Sequence, residues 1–425
     1  MSIEQVFCTV PWFEVHINAD GTYHTCGAQP GPGGLSFSPG WTDKHNVHSM
    51  RLEDWINGEY QRQARLDKLN GVWESRCQVC YNEEKCGSSS KRVKENLKSQ
   101  IDHNNFQSTY PNNPDLHYFE FSRLNQGVTD MIKPISYHMS LGNECNYACR
   151  MCGPWASTQL AVEGAKNGTY SGPVRLNWTD NNTAWNHVTD YICATENLRF
   201  IHLIGGEPFM NPRFEELIDK LLDHGRTDIY LGFTTNGSRV DIDLIEKLNA
   251  FKHVDIGISI ECTGELNDQI RKGTCTHEVL TNIETYLKYK REAHVYITVR
   301  PVPSALSVHT LDDLYRWCVD RKVDVMTNVL SRPEHLQIKQ LPRDIKHKLL
   351  EKYQQWNFSQ LLPGHSNPRD PNRFKEHIDN EIRVVMHCLQ QDADPEQTKK
   401  LYETIKLWNW FDHPEIAKYF ETKLL

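Results

Sequence analysis

Between residues 135 and 335 the sequence alternates short β-branched or aromatic runs with amphipathic ones, and nothing else in the chain constrains its fold as strongly. The runs ISYHMSLG (135–142), LRFIHLIGG (198–206), DIYLGFTTNG (228–237), HVDIGISIE (253–261) and AHVYITVRPV (293–302) end in glycine, polar residues or proline, the pattern of a buried strand meeting a loop. PRFEELIDKLLDHG (212–225), VDIDLIEKLNAF (240–251) and THEVLTNIETYLKYKRE (276–292) lie between them with apolar residues at helical spacing. DLYRWCVDRKVDVMTNVL (313–330) adds one more helix and strand. Such alternation specifies βα units and a parallel sheet. Ligands of such sheets gather at the C-terminal ends of the strands, where CNYACRMC, GGEP, TTNG and SIEC fall.

The flanks differ. Residues 1–90 are rich in Cys, Gly and Trp, with loop material at GAQPGPGGLSFSPGW (27–41) and one amphipathic helix expected over 51–69. Residues 91–134 are polar and turn-rich and read as a connector, with KRVKENLK (91–98) as a solvated helix face. Residues 336–425 lean helical, and WNWF (408–411) reads as core of that extension. The expected division is therefore 1–90, 91–134, 135–335 and 336–425.

No apolar stretch approaches the length of a membrane span, and MSIEQVFCTVPWF lacks a basic region followed by an apolar one. The expectation is a cytoplasmic protein without a membrane partner. A net charge of −8 counts against an overall grip on nucleic acid. Thirteen cysteines in a reducing compartment read as metal or redox ligands rather than disulfides. Eight fall in two groups, at 8, 26, 77, 80, 86 and at 145, 149, 152; Cys193, Cys262, Cys275, Cys318 and Cys388 are scattered and read as ordinary thiols. His16, His24 and His202 read as packing or surface residues. HExxH, GxSxG and GxxxxGK[ST] are all missing, so hydrolase and P-loop chemistry lack support.

Cys145, Cys149 and Cys152 sit on one short loop directly after a strand. Three thiolates ligate three irons of a cubane cluster and leave the fourth open, and an open coordination position is where chemistry takes place. A zinc site is the alternative, but no fourth ligand is adjacent. CNYACRMC resembles the CxxxCxxC signature of the radical S-adenosylmethionine superfamily. The resemblance implies a [4Fe–4S] cluster that chelates S-adenosylmethionine at its open iron, and reductive cleavage to methionine and a 5′-deoxyadenosyl radical that abstracts hydrogen. The fold it implies is α/β, a partial (β/α)6 TIM-like barrel.

By the same resemblance Tyr147 and Met151 face the cofactor, Met151 packing on adenine. Gly205, Gly206, Glu207 and Pro208 match the motif that receives the methionyl amine. TTNGS and SIECTGELNDQIRKG (259–273) place Thr235, Asn236 and Ser259 near ribose or carboxylate, Glu261 where the family has Asp, and Arg271 as a carboxylate partner. Arg300 and Val302 fall near the expected adenine contact. Strand-end capping is the plainer alternative for each.

Cys8, Gly21 and Cys26, then Cys77 and Cys80, resemble the opening of the twitch and SPASM auxiliary-cluster domains of that superfamily. FEVHINADGTYHTC alternates around Asp-Gly as a hairpin does. Cys8, Cys26, Cys77 and Cys80 would complete a second [4Fe–4S] shell, with Cys86 spare; a four-cysteine zinc knuckle is the alternative. The chain thus reads as an N-terminal twitch-like iron–sulfur module, a barrel and a helical C-terminal extension. The function expected is oxidation of an unidentified small molecule or peptide, with electron transfer through the auxiliary cluster and a flavodoxin or ferredoxin as reductant. The alternatives are a peptide or protein maturase and a non-catalytic iron–sulfur or zinc protein.

Overall fold

The computed structural model describes residues 6–27, 44–85, 90–99, 101–102, 107–108, 115–130, 133–290, 294–356, 371–410, 414 and 416. Most of the 27–41 loop and Cys86 lie outside these residues. The strands are β1 (Glu14–Ile17), β2 (Tyr23–His24), β3 (Ile101–Asp102), β4 (Gln107–Ser108), β5 (Ser136–Ser140), β6 (Phe200–Ile204), β7 (Tyr230–Thr235), β8 (His253–Ile258), β9 (Val295–Val299) and β10 (Asp324–Val325). Helices follow each of β5 to β10: Thr158–Lys166 and Asn182–Cys193, Arg213–Asp223, Ile242–Leu248, Thr276–Tyr289, Leu311–Arg321 and Arg343–Gln354. This is the alternation of a partial (β/α)6 barrel, and the fold is α/β with a parallel sheet, as expected.

The chain divides into two compact units. The first comprises Met1–Asn146, Gly153–Phe233 and Glu246–Val254, and the second Tyr147–Cys152, Thr234–Ile245 and Asp255–Leu425. In the first, the strands lie in the order β2-β1-β5-β6-β7. β5 is parallel to β6, and β6 to β7. Tyr137 and Met139 of β5 are fully buried on one face, as are Ile201 and Leu203 of β6. Helix Arg213–Asp223 buries Phe214, Leu217, Ile218 and Leu221, one face of a 3.6-residue period. In the second unit the order is β8-β9-β10, with β9 parallel to β10. Helices Pro371–Gln390 and Pro395–Leu407 complete the C-terminal extension. Asp394 caps the latter by accepting from the backbone of Glu396 and Gln397, with Pro395 in the first turn. No described helix is long and apolar enough to cross a membrane.

The N-terminal hairpin forms, with His16 opposite His24 and Ile17 opposite Tyr23. β1 also pairs in parallel with β5 from Glu14↔Ser136 to Ile17↔Met139, so the hairpin extends the main sheet. The helix expected over 51–69 is two, Leu52–Ile56 and Glu59–Leu69, because Asn57-Gly58 breaks the first. Residues 91–134 contribute helices Lys91–Lys98 and Leu116–Leu124 to the same core as the N-terminus. Phe119 packs with Phe7, Trp12, Phe13, Leu69 and Ile135, and Trp12 Nε1 donates to Ser122 Oγ at 2.8 Å. Helix Lys91–Lys98 is solvated on one side only: Lys94 and Lys98 are exposed, but Lys91 donates to buried Glu14 at 2.6 Å, and Arg92 is buried against Glu84.

His24, His16, His138 and His202 share one line of register across β2, β1, β5 and β6. Asn18 hydrogen-bonds both His16 and His24, at 2.9 and 2.6 Å. Burial, reinforced by His24 and His138, lowers the His16 pKa to about 3 from an ordinary 6.5. Burial opposes ionisation of Glu14 too, yet His138 and Lys91 hold its carboxyl below the usual carboxylate range. Between pH 6.5 and 3 the unfolded chain takes up a proton at position 16 that the folded chain refuses. Stability therefore falls as pH drops below about 6.5, by about 1.4 kcal/mol per unit from this residue. Above pH 4.5 the loss belongs to His16 rather than Glu14. Urea unfolding at pH 7 and pH 5 is expected to show a smaller loss in His16→Gln than in wild type; parallel losses would refute the assignment.

Candidate functional site

In the first unit the chain leaves β5 and reaches Cys145 through a segment fixed from two sides. On one side lie Gly205 and Gly206, both at positive φ, +93° and +52°. A Cβ on Gly205 would stand 1.7 Å from Ser140 Oγ, and one on Gly206 2.1 Å from the Glu144 carbonyl oxygen. Leu141 N donates to Ile204 O at 3.0 Å, and Glu207 N to Glu144 O at 2.7 Å. The Glu207 side chain, buried, accepts from Phe209 N at 3.3 Å, and Pro208 is buried beside it. GGEP thus lets two backbone segments touch. On the other side Asn143, fully buried, donates to Pro154 O and Val174 O and accepts from Leu176 N. Thr158 Oγ1 lies 3.4–3.5 Å from both the N and O of Cys145. Sequence reasoning did not find Asn143; its one signal was a polar residue wedged between a strand end and a cysteine. Gly206→Ala combines a disfavoured φ, about 1–2 kcal/mol, with a backbone collision. The expected result is a lower melting temperature and weaker iron loading at the cysteine loop; an unchanged melt would contradict this.

In the second unit, residues 147–152 are bracketed by the segment after helix Leu266–Ile270. Ala148 N donates to Lys272 O and Arg150 N to Ile270 O, both at 2.8 Å. Between them Arg271 points inward. Its Nε and Nη2 donate to Glu261 Oε1 at 3.0 and 2.5 Å, and its Nη1 lies 3.7 Å from Cys149 Sγ. Glu261 Oε2 accepts from Val302 N at 2.6 Å. Arg271, expected to pair with a cofactor carboxylate, is thus paired with Glu261, whose charge keeps the guanidinium protonated. Cys149 is lowered to about 7, first by its hydrogen bond with Cys152, with Arg271 also favouring the thiolate against burial. Tyr147 is buried, Met151 half-buried and Cys152 exposed. Arg300 pairs with Asp255 Oδ2 and donates to Thr234 Oγ1 at 2.9 Å. Ser259 N donates to Thr235 O at 3.0 Å; Thr235 Oγ1 and Asn236 Oδ1 accept from Gly237 N and Ser238 N, the local capping expected at strand ends. The Arg150 guanidinium lies 4.6 Å from the Trp408 ring centroid, so Trp408 lies against the cysteine loop, while Trp410 is buried as expected of a core residue and Phe411 lies outside the described residues.

The first unit also gathers the N-terminal thiols. Cys8, Cys26, Cys77 and Cys80 line one cavity of about 40 Å³, with Lys68, Glu74 and Arg92 around it. Cys8 is held on both flanks by helix Lys91–Lys98: Arg92 Nη1 and Asn96 Nδ2 donate to Phe7 O, and Asn96 Oδ1 accepts from Thr9 N. Lys68 Nζ donates to Cys77 Sγ at 3.1 Å and to Glu74 Oε2 at 3.5 Å. Burial pushes the Cys8 and Cys80 thiols up, and Cys26 and Cys80 push Cys8 further. Four cysteines lining one cavity, with Lys68 and Arg92 beside them, supply the four-thiolate donor set that an iron–sulfur cluster takes, as would a four-cysteine zinc site.

The family model described as Radical SAM superfamily matches residues 139–322. Over 141 residues, 32% of this chain, the sequence is 37% identical to mycofactocin maturase MftC of Mycobacterium tuberculosis and 36% identical to that of Mycobacterium ulcerans. The matched stretch covers 30% and 32% of those proteins, so the chain spans about a third of their length. Among solved structures, anSMEcpe with bound AdoMet is 18% identical with a TM-score of 0.40, covering 52% of this chain and 59% of that one. Streptococcus suis SuiB bound to precursor peptide SuiA is 16% identical, also at 0.40, covering 71% and 63%. The family match opens inside β5 and closes just past helix Leu311–Arg321, enclosing CxxxCxxC and GGEP; residues 139–322 are a domain of the radical S-adenosylmethionine superfamily.

Proposed function

We propose that this chain is a radical S-adenosylmethionine oxidase with two iron–sulfur clusters and a peptide substrate. The observation that carries the two-cluster reading is the cavity lined jointly by Cys8, Cys26, Cys77 and Cys80. In this reading Cys145, Cys149 and Cys152 hold the [4Fe–4S] cluster that binds S-adenosylmethionine. Tyr147, Met151, Gly205, Gly206, Glu207, Pro208, Thr235, Asn236 and Ser259 form the cofactor's surroundings. Glu261, Arg271 and Val302 act through one another: Arg271 orients the loop at Cys149, and Glu261 fixes Arg271 and the Val302 backbone, while Arg300 is held beside them in sequence by Asp255 and Thr234. When bound, the cluster and cofactor supply a 5′-deoxyadenosyl radical that takes a hydrogen atom from the substrate, and the second cluster supplies a one-electron redox centre. With four thiols in place no iron of that second cluster is left open, which favours electron transfer over substrate ligation.

The peptide reading is supported by the likeness to the mycofactocin maturases. The reductant in this reading is a flavodoxin or ferredoxin of the cytoplasm. Anaerobic reconstitution of the full chain is expected to give about eight irons and, with dithionite and S-adenosylmethionine, 5′-deoxyadenosine. Zinc with no deoxyadenosine would reject the reading. Cys77→Ala with Cys80→Ala is expected to leave about four irons and deoxyadenosine formation, but to abolish oxidised product. Full product yield from that variant would remove the electron-transfer role.

A further inference from the structure

The thiol cavity holds a buried cation whose closest acceptor is a sulfur. Lys68 is 4% exposed, and its ammonium stands 3.1 Å from Cys77 Sγ against 3.5 Å from Glu74 Oε2. The cavity's other cation is committed elsewhere: Arg92 donates to both oxygens of Glu84 and to Phe7 O. Burying an ammonium is costly unless it is paired and hydrogen-bonded. The helix Glu59–Leu69 nonetheless turns Lys68 inward beside Ala64, into the space the four cysteines line.

We infer that Lys68 is a positioning residue that raises the reduction potential of the cluster held by Cys8, Cys26, Cys77 and Cys80. The inference rests on reading those cysteines as ligands of one [4Fe–4S] cluster. Reduction adds one electron to an assembly already negative from four thiolates, while the ammonium keeps its proton and no ligand leaves. A fixed, buried positive charge that donates an N–H to one sulfur stabilises the more negative, reduced state more than the oxidised one. Its effect on the equilibrium is thus a preference for accepting an electron.

The test uses the full chain with Cys145, Cys149 and Cys152 replaced by Ala, so that one cluster alone is observed. It is reconstituted anaerobically with iron and sulfide and titrated with dithionite by electron paramagnetic resonance. Lys68→Met is expected to lower the reduction equilibrium about tenfold, about 59 mV for one electron, and Lys68→Arg to stay near the parent. A Lys68→Met protein that loads as much iron with an unshifted potential overturns the role of Lys68 and leaves the cluster reading intact. A parent that binds no iron overturns both. Should Lys68→Met fail to load, the parent protein decides alone. Its reduced cluster is expected to couple strongly to an exchangeable proton that disappears in deuterated buffer, and absence of that coupling overturns the inference.

Discussion

Arg271→Met is expected to destabilise the unloaded protein by about 3–5 kcal/mol, because it strands Glu261 as a buried carboxylate without its counter-ion. Glu261 is 1% exposed, and after the substitution only Val302 N would still donate to it among its hydrogen bonds described above. The same change removes the donor beside Cys149 Sγ and loosens the segment whose carbonyls at 270 and 272 bracket the cysteine loop. Combining Arg271→Met with Glu261→Gln removes the stranded charge and is expected to restore most of the stability but not the iron loading of the loop. Urea unfolding and iron analysis of the three proteins check both parts. A single variant as stable as wild type, or a double variant no better than the single, would rule out the buried pair as the cause.

Arg65→Met carries the second large effect. Arg65, 1% exposed, sits on helix Glu59–Leu69 and donates to the carbonyls of Pro11, Ile56 and Gly127, at 3.0, 2.5 and 2.9 Å, and to Asn57 Oδ1 at 3.2 Å. One guanidinium thereby ties together the N-terminal turn, the end of the helix Leu52–Ile56 and the segment before β5. Methionine fills the space but leaves three buried carbonyls without that donor, at about 1–3 kcal/mol each. Ala64 and Lys68, which line the thiol cavity, lie on the same helix. Thermal melting is expected to shift down sharply, and the iron bound by the N-terminal thiols to fall before that bound at Cys145, Cys149 and Cys152. A melt matching wild type would refute the tie.

The elements around the site were legible because they depend on local pattern. The β/α alternation, the strand ends at CNYACRMC and GGEP, and the Asp-Gly hairpin all declare themselves within a few residues. What stayed hidden depends on partners far away in sequence. Nothing within KRVKENLK says that Lys91 and Arg92 turn inward, since the carboxylates that receive them are Glu14 and Glu84. The helices Thr158–Lys166 and Asn182–Cys193 were missed because polar residues and glycines dilute their apolar stripes, although Ser157 and Asn181 cap them in the ordinary way. Arg271 was legible as a member of the SIECTGELNDQIRKG segment but not as Glu261's partner, because a motif names residues and not the pairs they form.

The parallel pairing of β1 with β5 has a consequence for how this protein is made. Cys8 and Cys26 flank a hairpin whose inner strand is satisfied only by a partner some 120 residues later. Closing so long a loop is slow relative to local structure, and during synthesis the partner does not yet exist when the hairpin leaves the ribosome. Until β5 arrives, β1 is an open strand edge flanked by Cys8 and Cys26. That edge closes only once residues 136–139 have been made, the strand that leads into the Cys145 loop.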